Sequence, residues 1–124
     1  MTPKANLEHL ASTEQRALLE FVQLLREGFN GLVRSALLFG SKARGENTLD
    51  SDLDVLVVVE SDDWRLHKQI RYLAADICLK YGLNLSPRVW SVSHHQEVEE
   101  LQTLLYQNIH RDGINLLEIA AVAD

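Results

Sequence analysis

The sequence predicts an α/β fold in which helices flank a small mixed β-sheet. Segments with helical spacing of apolar residues alternate with apolar segments typical of strands, and glycines end two of the helical segments. The chain has 124 residues, of which 46% are hydrophobic and 24% charged. This size and composition are typical of one globular domain, which we predict to extend over residues 1–124.

The first predicted helix has Ser12 or Thr13 as its cap and ends at Gly28 and Gly31. The segment 53–59 is apolar on both faces, which predicts a central strand covered on both sides. Pro87 is predicted to lie at the start of a later strand, where its missing N–H does least harm. The other predicted elements are a strand over 33–39, a helical turn over 41–45, a polar loop over 46–51, a helix over 61–82, a strand over 89–92, a helix from 93 or 94 to 108 and a short helix over 114–122.

The most informative pattern joins a Gly40-Ser41 turn to two carboxylates, Asp52 and Asp54, at the start of the next strand. Alternate residues of a strand point the same way, so both carboxylates are expected on one face. Adjacent carboxylates repel each other unless a cation lies between them, and oxygen ligands suit Mg²⁺ or Mn²⁺. A Gly-Ser turn leading into a helix offers backbone N–H groups to a phosphate. The pattern therefore predicts a site for a metal-bound nucleotide.

The full motif lies within residues 37–59 and reads Gly40-Ser41-x-Ala43-Arg44-Gly45, followed by Ser51-Asp52-x-Asp54. It resembles the signature of the polymerase-beta-like nucleotidyltransferases, and within that superfamily the minimal nucleotidyltransferase domains of prokaryotes. The order of predicted elements is similar to that family over nearly the whole chain. The resemblance implies the nucleotidyltransferase fold, with ATP as the expected nucleotide.

The resemblance also implies roles for the motif residues in catalysis. Asp52 and Asp54 would coordinate Mg²⁺ (or Mn²⁺) that bridges the nucleotide phosphates. Arg44 would neutralise charge on the departing pyrophosphate. An acceptor hydroxyl would attack the α-phosphate in line.

Further motif residues are expected to bind the nucleotide. Gly40 would let the backbone approach the phosphates, and the Ser41 hydroxyl would bind the β- or γ-phosphate. Arg44 would contact the same phosphates, and Ser51 would orient Asp52 or its loop. Lys42 is expected to face solvent.

One departure from the family concerns a third carboxylate, which these enzymes usually carry on a later strand. The matching segment, Asn84 to Trp90, contains no acid, and Ser86 or Arg88 stands in the expected position. The sequence therefore supports nucleotide binding better than full catalytic competence. A missing base lowers the rate by about 10²–10⁴, unless a partner protein supplies a side chain. The nearest acids follow on the next predicted helix: Glu97, Glu99 and Glu100.

Charge and cysteine content limit the class of protein. The net charge of −6 argues against tight binding along a nucleic-acid backbone. Cys78 is the single cysteine, which is consistent with a reducing cytoplasm. No apolar run approaches the length of a membrane span, and no signal peptide is expected. We therefore predict a cytoplasmic protein that binds neither nucleic acid nor membranes.

The histidines that follow the motif are interpreted as surface or interface residues. His94 and His95 are adjacent, so their side chains point apart on regular structure, and no third ligand has metal spacing. His67 and His110 are interpreted as surface or interface residues. Trp64 and Trp90 are interpreted as core or partner contacts.

Three functions are compatible with the resemblance. The first is transfer of AMP from ATP to a tyrosine of a HEPN-domain ribonuclease toxin, which makes the chain the antitoxin of a HEPN/MNT pair. The second is a catalytically weakened module that neutralises its partner by occlusion. The third is a small-molecule nucleotidyltransferase similar to the aminoglycoside-modifying enzymes, which usually carry a second domain for the acceptor. The pattern leaves open whether the chain assembles with itself or with a different protein.

Overall fold

The computed structural model describes residues 7–29, 31–45 and 51–123. Most of the predicted polar loop, residues 46–50, lies outside the described residues. In chain order the elements are α1 (Ser12–Gly28), β1 (Val33–Phe39), α2 (Ser41–Arg44), β2 (Leu53–Val59), α3 (Trp64–Tyr81), β3 (Leu85–Ser91), α4 (Val92–Leu101), α5 (Leu104–Asp112), β4 (Ile114–Asn115) and α6 (Leu116–Ala123).

The strands form one mixed sheet in the order β3-β2-β1-β4. β1 is antiparallel to β2 and β4, whereas β2 is parallel to β3. β2 is therefore an interior strand, and every residue in it except Asp54 is buried. The predicted α/β fold with a small mixed sheet and a doubly covered β2 is confirmed.

Alternate residues of β2 belong to two cores on opposite faces of the sheet. On one face, Leu53, Val55, Val57 and Val59 pack in the large core with α1, α3 and α6. On the other face, Leu56 and Val58 form a smaller cluster with Ile109 of α5. Asp52 and Asp54 follow the alternation of the smaller cluster, so they lie on its face, near the N-terminal end of β2.

The cap of α1 differs from the prediction. Ala11, rather than Ser12 or Thr13, is the N-cap residue, and Ser12 is the first helical residue. The Ala11 N–H donates to Glu14 Oε1 at 3.0 Å, and Gln15 Nε2 donates to the Leu10 carbonyl at 3.0 Å. Side chains of the first turn therefore hydrogen-bond to the backbone N–H and C=O groups that precede the helix, and no hydroxyl side chain caps it.

β3 begins four residues earlier than predicted, at Leu85 instead of Val89. Pro87 is consequently inside the strand and pairs in register with Val55. Because β3 is an edge strand, proline is tolerated there when its missing N–H faces away from the sheet.

The predicted helix from 93 or 94 to 108 is two helices. Gln102 adopts a left-handed conformation (φ 49°) that ends α4, and Thr103 Oγ1 accepts from the Tyr106 N–H to begin α5. The predicted helix over 114–122 is also wrong at its start, because Ile114 pairs with Leu38 as part of β4. Among the described residues, no helix is both long enough and apolar enough to cross a membrane.

Candidate active site

The turn between β1 and α2 lies directly against the second predicted carboxylate. Phe39 pairs in register with Asp54, so the residue after Phe39 reaches the same end of β2. Gly40 has φ 80° and ψ −162°, a combination that is essentially restricted to glycine. A Cβ at Gly40 would lie 2.6 Å from Asp54 Oδ2. Gly40 is therefore required both by its backbone conformation and by its contact with the carboxylate.

Asp52 and Asp54 share one face at the start of β2 but differ in exposure. Asp52 is exposed and Asp54 is half-buried. Burial, and secondly the negative charge of Asp52, raise the pKa of Asp54 above its usual value, while the positive charge of Arg88 opposes this. The ionised pair is thus disfavoured in the protein alone, and a cation between the carboxylates would relieve this cost.

The donor chemistry of this pair fits Mg²⁺ or Mn²⁺. Mg²⁺ is usually held by one or two carboxylates together with waters and substrate phosphates, rather than by a cage of protein ligands. Within the described ranges, no group of three or more His, Cys, Asp or Glu side chains could hold a metal ion. The two carboxylates fit an ion of this kind whose other ligands are waters or phosphates.

The register of β3 identifies what stands beside Asp54 in place of a third acid. Ser86 pairs with Asp54, and Arg88 pairs with Leu56 two residues further along the same face. Both Ser86 and Arg88 are exposed. This edge of the site therefore offers a hydroxyl and a guanidinium, and it offers no carboxylate that could act as a base.

α2 is a single helical turn that follows Gly40. The Gly40 carbonyl accepts from Ala43 N at 3.1 Å and from Arg44 N at 3.2 Å, and Gly45 ends the turn in the left-handed conformation. The backbone N–H of Ser41 belongs to the first turn, where a helix has no intrahelical acceptor to offer. Because Ser41 follows Gly40 directly, this N–H lies next to the Gly40–Asp54 contact.

The prediction that Lys42 faces solvent is wrong. Its side chain is 1% exposed, and its Nζ lies 2.6 Å from Glu14 Oε2 of α1. The Lys42 carbonyl is also 2.6 Å from His9 Nε2. The lysine points inward because the packing of α1 against the turn brings a carboxylate to it, and the ion pair ties the turn to α1.

Glu14 and His9 were missed by sequence reasoning. Glu14 occupies the position of a capping residue in α1, and it does accept from the Ala11 N–H with Oε1 while Oε2 contacts Lys42. The contact between Glu14 and Lys42 cannot be predicted from a local sequence pattern, because α1 and the turn are far apart in the chain. A buried ion pair is costly to break, since removing one partner destabilises by about 3–5 kcal/mol.

Arg44 lies at the end of α2, beside the last residue of α5. Its Nη1 is 3.6 Å from Asp112 Oδ2, and its side chain is 35% exposed. Arg111 also binds Asp112, with Nε to Oδ1 at 3.1 Å and Nη2 to Oδ2 at 3.0 Å. The hydrogen bonds from Arg111, with a smaller contribution from Arg44, hold the pKa of Asp112 below its usual value. Asp112 therefore remains an anion that sets the direction of Arg44.

The chain leaves α5 through Asp112 and Gly113. A Cβ at Gly113 would collide with the Ile109 carbonyl, so glycine is needed there for the chain to leave α5 and enter β4. That exit places Asp112 within reach of Arg44. Ser51, the remaining predicted residue, is half-buried immediately before Asp52.

Comparisons with known proteins identify the family of this chain. A family model described as a nucleotidyltransferase domain matches residues 18–114. The curated "Putative protein adenylyltransferase MJ0604" of Methanocaldococcus jannaschii is 33% identical over 102 residues, which cover 75% of this chain and 98% of that protein. "Putative protein adenylyltransferase MJ1305" of the same organism is 37% identical over 71 residues, covering 55% of this chain and 48% of that protein. This chain, whose matched segment contains the Gly-Ser turn and both aspartates, belongs to the nucleotidyltransferase domain family.

Proposed function

We propose that this protein transfers AMP from ATP to a hydroxyl group of a partner protein. The observation that carries the proposal is the contact between Gly40 and Asp54, which joins the two halves of the motif in one site. Membership of the nucleotidyltransferase family supports nucleotidyl transfer in general. The names of both relatives give a protein as the acceptor, and the match to the first relative covers nearly all of that protein.

In this proposal, Asp52 and Asp54 hold Mg²⁺ (or Mn²⁺) against the phosphates of ATP. The ion, when bound, supplies positive charge to the attacking and leaving oxygens. The raised pKa of Asp54 supports this role because bound positive charge restores the ionised form. Ser51, just before Asp52, would fix the direction of that carboxylate.

The Gly-Ser turn and Arg44 bind the part of ATP that leaves. Ser41 would donate its hydroxyl and backbone N–H to the β- or γ-phosphate, with Gly40 leaving room for the approach. Arg44 would neutralise the departing pyrophosphate as the acceptor oxygen attacks the α-phosphate and the α–β bridging bond breaks. A guanidinium has five N–H donors, so contact with Asp112 and contact with a phosphate are compatible.

The acceptor hydroxyl must lose its proton without help from β3, because Ser86 and Arg88 stand where a carboxylate is expected. We propose that a side chain of the partner protein supplies the missing base, or that the partner activates its own acceptor hydroxyl. On this view the reaction is slow with model acceptors and accelerates with the true partner, by up to about 10²–10⁴.

We further propose that the partner is a HEPN-domain toxin, that this chain is its antitoxin and that the pair acts in the cytoplasm. The resemblance of the motif to minimal nucleotidyltransferase domains supports this choice. The quickest check is the neighbouring reading frame. An all-helical protein with an Arg-x4-6-His motif would support the pairing, and its absence from the genome would count against it.

The transfer itself is tested with purified protein, its candidate partner, Mg²⁺ and ATP labelled on the α-phosphate. We expect label on the partner, and loss of label in Asp52→Asn and Asp54→Asn. Asp62→Asn is the matched control, because Asp62 is an exposed aspartate just after the other end of β2. Label that persists in both Asp52→Asn and Asp54→Asn would refute the assigned roles.

The position of Ser86 favours one alternative function, neutralisation by occlusion without chemistry. Cells that express the partner distinguish the two. If Asp54→Asn still protects them while labelling is lost, binding alone is sufficient. If protection and labelling are lost together in a variant that still binds the partner, transfer is the mechanism.

A further inference from the structure

Two histidines that the sequence analysis treated separately face each other across α4 and α5. His95 Nε2 of α4 and His110 Nε2 of α5 are 3.5 Å apart. Tyr106 lies beside both rings, with centroids 4.2 Å from His110 and 5.9 Å from His95. The helices meet because Gln102 turns the chain back in a left-handed conformation. His94 and His95 both pack against Trp90, with ring centroids 5.2 and 6.1 Å away, and the imidazole that meets His95 comes from the next helix.

The distance between the two nitrogens fits a shared metal ion. Metal–imidazole bonds of about 2.0–2.1 Å, with the nitrogens 3.5 Å apart, give an N–metal–N angle of roughly 115°, close to tetrahedral. A direct N–H···N hydrogen bond is the alternative explanation of the short separation, but donor–acceptor distances of hydrogen bonds from N–H groups cluster at about 2.9–3.0 Å. The observed spacing is at the long end for a hydrogen bond and is near the value that chelation requires.

A carboxylate also lies near the pair. Glu99 lies one helical turn after His95 on α4, and its negative charge acts on both His95 and Tyr106. A cation at the imidazoles would therefore meet an anion.

We propose that His95 and His110 chelate a transition-metal dication of the Zn²⁺, Ni²⁺ and Cu²⁺ class and thereby clamp α4 to α5. Imidazole nitrogens select these ions, whereas the oxygens of Asp52 and Asp54 select Mg²⁺ or Mn²⁺. No third His, Cys, Asp or Glu joins the pair among the residues that the structure describes. Water fills the remaining positions, and Glu99 contributes through its charge. The site is independent of the proposed transfer reaction.

The test measures binding of Zn²⁺ by calorimetry and of Co²⁺ by its visible absorption. Both use the full chain carrying Asp52→Asn and Asp54→Asn, so that the carboxylate pair does not contribute. We expect one ion per chain. His95→Gln and His110→Gln should each weaken binding by at least about tenfold, since even changes around a metal ligand cost 10–100-fold. His67→Gln, which removes an imidazole from α3, is the matched control and should bind as before.

Two results would overturn the proposal. One is a chain that binds Zn²⁺ no more tightly than its His95→Gln/His110→Gln double variant. The other is equal weakening by His67→Gln, which would show adventitious binding to surface imidazoles only. If a glutamine variant does not fold, a Zn²⁺ titration of the intact chain followed by nuclear magnetic resonance tests the proposal instead. The imidazole signals of His95 and His110 must then shift at lower Zn²⁺ concentrations than those of His9 and His67, and the reverse order would overturn the proposal.

Discussion

The contact between Gly40 and Asp54 leads to a sharp prediction for Gly40→Ala. The new methyl group would lie 2.6 Å from Asp54 Oδ2, where ordinary contact begins near 3.4 Å. The carboxylate must therefore move by roughly 0.8 Å, and a misplacement of about 1 Å in a catalytic group can lower a rate by about 10²-fold. The backbone also carries strain, because φ 80° with ψ −162° costs a residue other than glycine about 1–3 kcal/mol.

The variant Gly82→Ala separates the effect of backbone strain from the effect of the contact with Asp54. Gly82 ends α3 with φ 65° and ψ 40°, and a Cβ there would meet nothing within 4 Å. This control has backbone strain of about 1–2 kcal/mol without any contact at the site. We expect both variants to lose stability in urea, and only Gly40→Ala to lose about 10²-fold in AMP transfer.

Two measurements check this prediction. Urea unfolding gives the change in the free energy of unfolding, and thermal unfolding with ATP and Mg²⁺ gives the stabilisation by ligand. Gly40→Ala should lose most of that stabilisation, and Gly82→Ala should retain it. If Gly40→Ala keeps both the ligand stabilisation and the rate of Gly82→Ala, the Gly40 contact does not position Asp54.

Three further predictions concern the charge of Asp54, the buried ion pair of the turn and Arg44. The pKa of Asp54 is raised, so its ionised form destabilises the fold at neutral pH, and this loss is recovered as the pH falls through the folded-state pKa. Asp54→Asn should therefore raise the melting temperature of the metal-free chain at neutral pH, with the gain shrinking in acid; a lower melting temperature would contradict this. Glu14→Gln removes the negative charge that Glu14 brings to the buried lysine of the turn and should lower the free energy of unfolding in urea by about 3–5 kcal/mol. Glu20→Gln breaks a more exposed pair and should lower it by about 0–1 kcal/mol, so equal losses would show that burial is not decisive. Arg44→Gln should reduce AMP transfer by about 10²–10³-fold, whereas Arg111→Gln, which removes the exposed cation from the same aspartate, should stay near the wild-type rate; similar losses in labelling assays would contradict the role of Arg44.

The elements that carry the motif could be predicted because their patterns are local. β1 and β2 have the predicted bounds, since runs of apolar and β-branched residues between polar segments specify strands. Asp63 caps α3 and Gly82 ends it, as residues of those types commonly do. The predicted bounds of two elements were wrong because the local sequence signal was misleading in one case and missing in the other. Pro87 indicated the start of a strand but lies inside one, and the turn at Gln102 has no glycine to mark it.

The sequence by itself determined that Asp52 and Asp54 share a face and that a glycine precedes Ser41, because spacing within one strand fixes the direction of its side chains. Only the tertiary structure decided what those residues meet. The register of β1 against β2 brings Gly40 to Asp54, and the packing of α1 turns Lys42 inward. The parallel pairing of β3 puts Ser86 beside Asp54, and the return of α5 brings Asp112 to Arg44. These contacts join segments far apart in the chain, and their geometry depends on how whole elements pack, which no local periodicity specifies.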